Sequence, residues 1–355
     1  MEEELFNKYS RQIFFQPIGI EGQKRLSRGY ALVIGCGATG SASAGMLARA
    51  GVGRLKIVDR DFLEETNLQR HSLFNEEDLK TGLPKATLAE KNLGRINSTI
   101  KVEGIVADVN SSNIEALAAG ADVILDGTDN FETRFLINDY AVKTRTPWVY
   151  GACIGSQGML MNIVPGETPC LRCLLETSPP AGTIPTCETA GILGPTAQLI
   201  GSIQATEAIK ILTGCSESLI KDLVKVDTWT WTLQRLDLSN ARPDKCPVCR
   251  LGRYDALHAR SGVMTTTLCG RNAVQIVPPN GSKIELKELA SQLNKLSGPS
   301  GPSELSDVTC NPYLLRFKLR RKGIDITVFP DGRAIIQGTK EPSLAKDLYS
   351  KYIGM

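Results

Sequence analysis

The chain has 355 residues, 42% hydrophobic residues and a formal net charge of +3. This length suits two domains with large cores, and the small charge argues against a nucleic-acid partner or a membrane surface. No apolar run reaches the roughly 20 residues of a membrane helix, and the acidic residues 1–4 lack the apolar segment of a secretory signal. We therefore expect a cytoplasmic protein whose ten cysteines serve metal or thiol chemistry rather than structural disulfides.

The first part of the chain alternates predicted strands and helices. An apolar strand at residues 30–34 leads through a glycine turn into an alanine-rich helix that ends at Gly51. The further predicted strands cover residues 55–58, 101–106, 123–125, 148–150, 224–226 and 230–236. The further predicted helices cover residues 113–119, 132–143 and 196–212. This alternation predicts an α/β fold, with a Rossmann-like, doubly wound, mostly parallel sheet covered by helices on both faces.

The sequence changes in character after Cys249. Residues 298–303 consist of Gly, Pro and Ser, which is the composition of a loop. The segments beyond this loop predict hairpin strands at residues 314–319, 324–329 and 334–336 and a closing helix at residues 344–352. We predict a main domain over residues 1–250 and a small α+β C-terminal domain over residues 255–355.

The glycine turn after the first strand has the features of a nucleotide site. Gly35, Gly37 and Gly40 allow a tight turn and let a phosphate approach the backbone amides at the start of a helix. Asp59 ends the second strand about 20 residues later, which is the spacing of a carboxylate that binds ribose hydroxyls. On these residues alone, a dinucleotide cofactor would be the default.

Further polar side chains follow the predicted strand ends, where open α/β sheets bind ligands. They are Asp61, Asn67, Gln69, Arg70, Lys85, Asp129 and Asn130. Two cations and an acidic residue around one crevice suit ATP with Mg²⁺, because the cations neutralise phosphate oxygens and Asp129 can hold the metal. An NAD-dependent oxidoreductase would not need this set. That enzyme class and a nucleotide-binding scaffold without turnover remain the alternatives.

Two Cys-x-x-Cys pairs are far apart in the chain. Cys170 and Cys173 form the first pair, and Cys246 and Cys249 form the second. Four thiolates in two close pairs suit a tetrahedral, structural Zn²⁺ site, which would leave no open position for catalysis. A redox role for one pair is the less favoured interpretation.

A fifth cysteine, Cys187, lies in a loop rich in Gly and Pro that we expect to be exposed. An exposed thiol near the start of a helix can have an increased thiolate fraction. A loop cysteine without a covalent role is the alternative.

These motifs together resemble the ThiF/MoeB family of ubiquitin-activating-like enzymes. The matching segments are residues 9–12, 35–40, 59–61, 67–70, 84–85 and 126–130, both Cys-x-x-Cys pairs and the segment around Cys187. The resemblance covers about residues 5–250. Ala38 is a departure, since relatives often have Gly there, but its methyl group does not prevent binding. Residues 268–271, 311–317 and 329–333 resemble the C-terminal extension of Bacillus-type ThiF proteins.

The resemblance implies a nucleotidyltransferase that uses ATP to adenylylate the C-terminal Gly-Gly carboxylate of a ubiquitin-like sulfur-carrier protein, with release of pyrophosphate. It implies that Asp59 binds ribose, that Asp129 binds Mg²⁺ and that the phosphates are contacted by Asn67, Arg70 and Lys85. The extension favours a ThiS-like carrier in the synthesis of the thiamine thiazole. MoeB-type activation of the small subunit of molybdopterin synthase, or of another sulfur carrier, is the alternative.

The resemblance also implies partners. It implies a homodimer in which Arg11 reaches into the site of the partner subunit, and a sulfur donor such as a cysteine desulfurase. Cys187 would form a covalent link to the activated carrier during sulfur transfer. Because the carrier's carboxylate is ionised at pH 7, its attack on the α-phosphate needs no general base, and we expect positioning and charge neutralisation to supply catalysis.

Overall fold

The computed structural model describes residues 2–177, 190–258, 264–268, 272–278, 283–296, 305–320 and 323–354. The chain forms two compact units, Met1–Ala259 and Arg260–Met355. Among the described helices, none combines the length and apolar character needed to cross a membrane.

The first unit is built on a sheet of eight strands. They are β1 (Tyr30–Ile34), β2 (Arg54–Asp59), β3 (Lys101–Val106), β4 (Val123–Asp126), β5 (Trp148–Ile154), β6 (Gln157–Ile163), β7 (Leu223–Asp227) and β8 (Thr232–Leu236). Their order in the sheet is β3-β2-β1-β4-β5-β6-β7-β8. The pairs among β1 to β5 are parallel, and the pairs from β5 to β8 are antiparallel. The prediction of a mostly parallel α/β sheet is confirmed.

The helices of this unit cover both faces of the sheet. They are α1 (Glu2–Ile13), α2 (Gly19–Leu26), α3 (Ala38–Ala50), α4 (Glu76–Lys80), α5 (Lys85–Ile96), α6 (Ile114–Ala118), α7 (Phe131–Thr144), α8 (Leu171–Leu174), α9 (Gly194–Thr213) and α10 (Asp255–His258). Side chains of β1 alternate between the two cores. Ala31 and Val33 join the core beneath α3, α5 and α9, whereas Leu32 and Ile34 join the core beneath α6 and α7.

The α3 and α9 helices pack closely because both carry small residues at their contact. A Cβ atom on Gly201 of α9 would lie 2.6 Å from the Cβ atom of Ala42 in α3. This contact fixes the first turn of α3 next to the end of β1. The order of the strands reverses between β1 and β4, and a crevice at such a switch point is the usual ligand site of an open α/β sheet.

The second unit contains an antiparallel sheet with two helices. Its elements are β9 (Met264–Leu268), β10 (Ala273–Val277), α11 (Leu286–Leu296), β11 (Leu305–Cys310), β12 (Leu315–Leu319), β13 (Ile324–Val328), β14 (Ala334–Gln337) and α12 (Pro342–Tyr352). The strand order is β11-β12-β13-β14-β10-β9. Phe317, Ile326 and Tyr349 lie in its core. The prediction of a small α+β region is confirmed, although the sequence patterns missed β9, β10, β11 and α11.

Candidate active site

The turn between β1 and α3 packs against the loop that follows β4. Gly35 has a φ of +88°, and a Cβ atom there would lie 2.5 Å from the carbonyl oxygen of Gly127. A Cβ atom on Gly40 would lie 1.9 Å from the carbonyl oxygen of Gly35. Gly37 differs, since its nearest neighbouring atom would be 3.6 Å away and it directly precedes α3. Gly35 and Gly40 are therefore required by packing, and Gly37 leaves the helix start open to an anion.

Asp59 holds this turn from the end of β2. Its Oδ2 accepts a hydrogen bond of 2.6 Å from the Cys36 backbone N–H, and its Oδ1 accepts one of 2.7 Å from the Asp61 backbone N–H. Burial raises the pKa of Asp59, and the nearby Lys85 ammonium opposes that shift. Each carboxylate oxygen can accept a further hydrogen bond, so Asp59 can still accept one from a hydroxyl group of a ligand.

Lys85 lies at the first position of α5, next to Asp61. Its backbone N–H donates to the Asp61 carbonyl oxygen at 2.9 Å, and its Nζ lies 3.7 Å from Asp61 Oδ2. The residue is only 4% exposed. The structure therefore brings together a buried ammonium and the carboxylates of Asp59 and Asp61.

The segment with Asn67, Gln69 and Arg70 is fixed against the start of α9. The Asn67 Oδ1 accepts a hydrogen bond of 3.1 Å from the Glu64 backbone N–H, so this buried amide caps a short 3-10 helix. Gln198 Nε2 donates to the Arg70 carbonyl oxygen at 2.9 Å, and Arg70 Nη1 donates to the Thr66 carbonyl oxygen at 2.6 Å. Gln69 is exposed. Of the three predicted residues, Asn67 already has a structural role.

Asp129 and Asn130 follow β4. Asp129 is exposed. The Asn130 Oδ1 accepts a hydrogen bond of 2.8 Å from the Thr133 backbone N–H and caps α7. Because this oxygen already accepts a hydrogen bond, Asn130 stabilises the start of α7. Its role in binding the nucleotide stays a prediction.

The sequence patterns missed two residues that shape this loop. Gln204 of α9 donates from Nε2 to the Asp126 carbonyl oxygen at 2.8 Å and to the Val149 carbonyl oxygen at 3.1 Å. Arg134 of α7 is buried against the Asp126 carboxylate. A polar residue on the buried face of the mostly apolar α9 is the signal that could have identified Gln204. The α7 helix carries several polar residues, so its sequence gives no such signal for Arg134.

Arg11 lies away from this crevice in its own chain. It is exposed on α1, and its neighbour Gln12 donates from Nε2 to the carbonyl oxygen of Ala50, the last residue of α3. Since α3 has 13 residues, its two ends are about 20 Å apart. Arg11 is therefore near the end of α3 that is opposite to Gly37. Cys187, the other predicted catalytic residue outside the crevice, lies outside the described residues.

The four cysteines of the two Cys-x-x-Cys pairs meet in one cluster. Their sulfur atoms all lie within 4.8 Å of one another, with Sγ–Sγ distances of 3.7 Å within the first pair and 3.6 and 3.4 Å between the pairs. Tetrahedral zinc with bonds of about 2.3 Å requires sulfur separations of about 3.8 Å, so the cluster fits this ion. A hydrogen bond from Cys173 lowers the pKa of the Cys170 thiol, whereas the same contact raises the pKa of Cys173 and burial raises the pKa of Cys246. The fit to a metal ion therefore rests on the positions of the four sulfur atoms.

The comparison with known families agrees with this geometry. The model of the ThiF family matches residues 9–248, which include the glycine turn, the strand-end residues and three of the four clustered cysteines, and ends one residue before Cys249. The chain belongs to the ThiF family. The predicted resemblance to the ThiF/MoeB family is thereby confirmed.

Individual ThiF-family relatives extend this match. A Bacillus subtilis (strain 168) protein named Sulfur carrier protein ThiS adenylyltransferase is 43% identical over 347 residues, which are 98% of this chain and 99% of that protein. The Haloferax volcanii protein named SAMP-activating enzyme E1 is 39% identical over 251 residues, which are 71% and 91% of the two chains. The Bacillus subtilis relative, which is named an adenylyltransferase, and the family match confirm the prediction of a nucleotidyltransferase.

A solved structure shares the fold of the ThiF-family unit. The crystal structure of E. coli MccB with ATP superimposes with a TM-score of 0.59 at 23% sequence identity, and the match covers 68% of this chain and 74% of that one. At this identity the likeness shows the fold.

Proposed function

We propose that this protein uses ATP to adenylylate the C-terminal Gly-Gly carboxylate of a ThiS-like, ubiquitin-like sulfur-carrier protein, with release of pyrophosphate. The observation that carries the proposal is the 43% identity with the Bacillus subtilis ThiS adenylyltransferase over 98% of this chain. That alignment includes the second unit, whereas the Haloferax volcanii relative aligns over 71% of the chain. Extension into the second unit favours a role in thiamine thiazole synthesis over MoeB-type activation of the molybdopterin synthase subunit.

In this proposal the crevice residues hold ATP and neutralise its charge. The backbone N–H groups after Gly37 donate hydrogen bonds to a phosphate at the start of α3, and the Asp59 carboxylate accepts hydrogen bonds from the ribose hydroxyls. Lys85 and Arg70 neutralise phosphate oxygens, and Asp129 holds Mg²⁺, which would stabilise the charge of the leaving pyrophosphate.

The reaction needs no proton transfer at its first step. The carrier's carboxylate oxygen attacks the α-phosphorus, the bond to the β-phosphate bridging oxygen breaks, and pyrophosphate leaves with that electron pair. The products are an acyl adenylate and pyrophosphate. A buried ammonium such as that of Lys85 acts strongly here, because a low local dielectric increases its effect on the developing charge.

Further parts of the proposal concern partners and domains. We propose a homodimer in which Arg11 enters the site of the partner subunit, since Arg11 is remote from Gly37 in its own chain. A donor such as a cysteine desulfurase would supply sulfur. Cys187, after losing its thiol proton to water, would attack the carbonyl carbon of the acyl adenylate and form a thioester with the carrier, as the bond to AMP breaks and AMP leaves. We assign adenylylation to residues 1–250 and treat residues 255–355 as an added domain. The clustered cysteines would hold one structural Zn²⁺.

Pyrophosphate–ATP exchange tests the proposed function. We expect labelled pyrophosphate to enter ATP when a ThiS-type carrier ending in Gly-Gly is added. With a molybdopterin-type carrier we expect little incorporation. Asp129→Ala should abolish exchange while leaving the protein folded, because Asp129 is exposed. Exchange with the molybdopterin-type carrier alone would favour the MoeB-type role, and an absence of exchange with every Gly-Gly carrier would refute the proposal.

A further inference from the structure

Two exposed tryptophans lie at the turn between β7 and β8. Trp229 is 81% exposed and Trp231 is 78% exposed, whereas the third tryptophan of the chain, Trp148, is fully buried. Leu233, which lies in β8 two residues after Trp231, is 65% exposed. We name residues 228–233 the tryptophan hairpin. Tryptophan is enriched among the residues that dominate protein–protein binding energies, so this concentration indicates a contact surface.

The tryptophan hairpin is held in one conformation. The Asp227 Oδ1 accepts hydrogen bonds from the Ser156 hydroxyl at 2.9 Å and from the backbone N–H groups of Trp229 at 3.0 Å and Thr230 at 3.2 Å. Trp231 has a φ of +54°, which is costly for a bulky residue. Such strain persists where the surroundings fix the backbone and is concentrated at functional positions. A rigid aromatic anchor loses little conformational freedom on binding.

The hairpin lies at the same edge of the sheet as the crevice. Because β6 is antiparallel to both β5 and β7, β7 runs in the direction of β1 to β5 and ends at their carboxyl edge. Thr228 donates from its N–H to the Ser156 carbonyl oxygen at 2.9 Å, and its hydroxyl lies 2.5 Å from that of Thr196 in the first turn of α9. Gln198, two residues further on, bonds the Arg70 carbonyl oxygen. The α9 residues that contact the hairpin and the segment with Arg70 are therefore only two positions apart.

We infer that the tryptophan hairpin docks the folded body of the carrier protein while the carrier's C-terminal tail enters the crevice. The inference rests on the proposed function and adds the surface that recognises the carrier. A reaction at a terminal carboxylate places the rest of that protein outside the crevice, beside the same sheet edge. All five residues of β8 are exposed, and among the described strands β8 is the edge of this sheet, with no strand beyond it. The matching surface of the carrier is apolar.

The kinetic test compares three proteins in pyrophosphate–ATP exchange with a ThiS-type carrier. The Trp229→Ala/Trp231→Ala variant should raise the KM for the carrier at least about tenfold, with the KM for ATP and kcat nearly unchanged. Leu236→Ala is the matched control, because Leu236 is 49% exposed at the far end of the same strand. A synthetic peptide of the carrier's tail alone should react equally well with all three proteins. An unchanged KM for the full carrier in the double variant would overturn the inference.

A second readout is independent of catalysis. Carrier binding should shift the tryptophan emission of the wild-type chain to shorter wavelength, since two of its three tryptophans would leave water. If the wild type gives no exchange, the proposed function fails, and the emission titration alone tests the docking surface. An emission that does not shift on adding the carrier would then overturn the inference. A dimer that dissociates in the double variant would assign the hairpin to a contact between copies, and would equally overturn the inference.

Discussion

Arg134 Nε lies 2.9 Å from Asp126 Oδ2 in the core of the first unit, where Asp126 is fully buried and Arg134 is 6% exposed. Arg134 Nη2 also donates to the carbonyl oxygens of Thr128 at 2.7 Å and Gly151 at 3.0 Å. One guanidinium thus joins the carboxylate at the end of β4, the loop before Asp129 and the middle of β5. This arrangement fixes the start of the loop that carries Asp129.

Arg134→Gln should strongly destabilise the protein. Loss of one partner leaves the Asp126 carboxylate buried without its counter-charge, and such changes cost about 3–5 kcal/mol. Urea denaturation should show this loss of unfolding free energy. The double variant Asp126→Asn/Arg134→Gln should lose less than Arg134→Gln alone, because it removes the unpaired charge. Equal losses in the two variants would show that the ion pair is not the source of the effect.

The glycine turn offers a matched pair of substitutions. Gly40→Ala should destabilise the fold by about 3 kcal/mol or more, because its Cβ would lie 1.9 Å from the Gly35 carbonyl oxygen and no flexible atom can move away. Gly37→Ala has no such clash and its φ of −76° suits any residue, so its melting temperature should be near that of wild type. If Gly37 leaves space for a phosphate, Gly37→Ala should raise the KM for ATP. A Gly37→Ala protein with normal ATP kinetics would remove this position from the site.

The cysteine cluster predicts about one zinc ion per chain, by the geometry that four thiolates require. Cys170→Ser and Cys246→Ser should each lose the ion and lower the melting temperature, since metal binding is coupled to folding. Cys215→Ser is the control, because Cys215 lies outside the cluster. Metal analysis by mass spectrometry and a melting curve with a chelator give the readout. A purified wild-type protein that is stable and free of zinc would contradict the assignment.

Sequence reasoning succeeded where one local segment determines the structure. The glycines of the turn lie close to one another and to Asp59 in the sequence, and the cysteines within each pair are three positions apart. Such short, characteristic spacings allow the chemistry to be recognised before the fold is known. Gln204 could not be placed in the same way, because its hydrogen bond to the Asp126 carbonyl oxygen spans 78 residues. Such contacts depend on how α9 packs across the sheet.

Two further departures have local physical reasons. The predicted strand at residues 230–236 begins too early, because the backbone bonds to Asp227 hold Trp229 and Thr230 in a turn and Trp231 adopts a left-handed φ. In the second unit, β9 (Met264–Leu268) includes three consecutive threonines, so its pattern lacks the apolar alternation that reveals a strand.

Asp139 gives the protein a specific dependence on pH. Burial raises its pKa from 3.8 to about 6, although its Oδ2 accepts a hydrogen bond of 2.9 Å from the Ala256 backbone N–H. The folded protein therefore binds this proton more tightly than the unfolded chain, so the stability that it contributes is present below about pH 4 and is lost as the pH rises to 6. Asp139→Asn should remove this loss, which is on the order of 1–3 kcal/mol. Urea denaturation of the wild type and of Asp139→Asn between pH 4 and pH 7 measures it. A wild-type stability that falls no faster than that of Asp139→Asn over this range would show that Asp139 keeps its ordinary pKa.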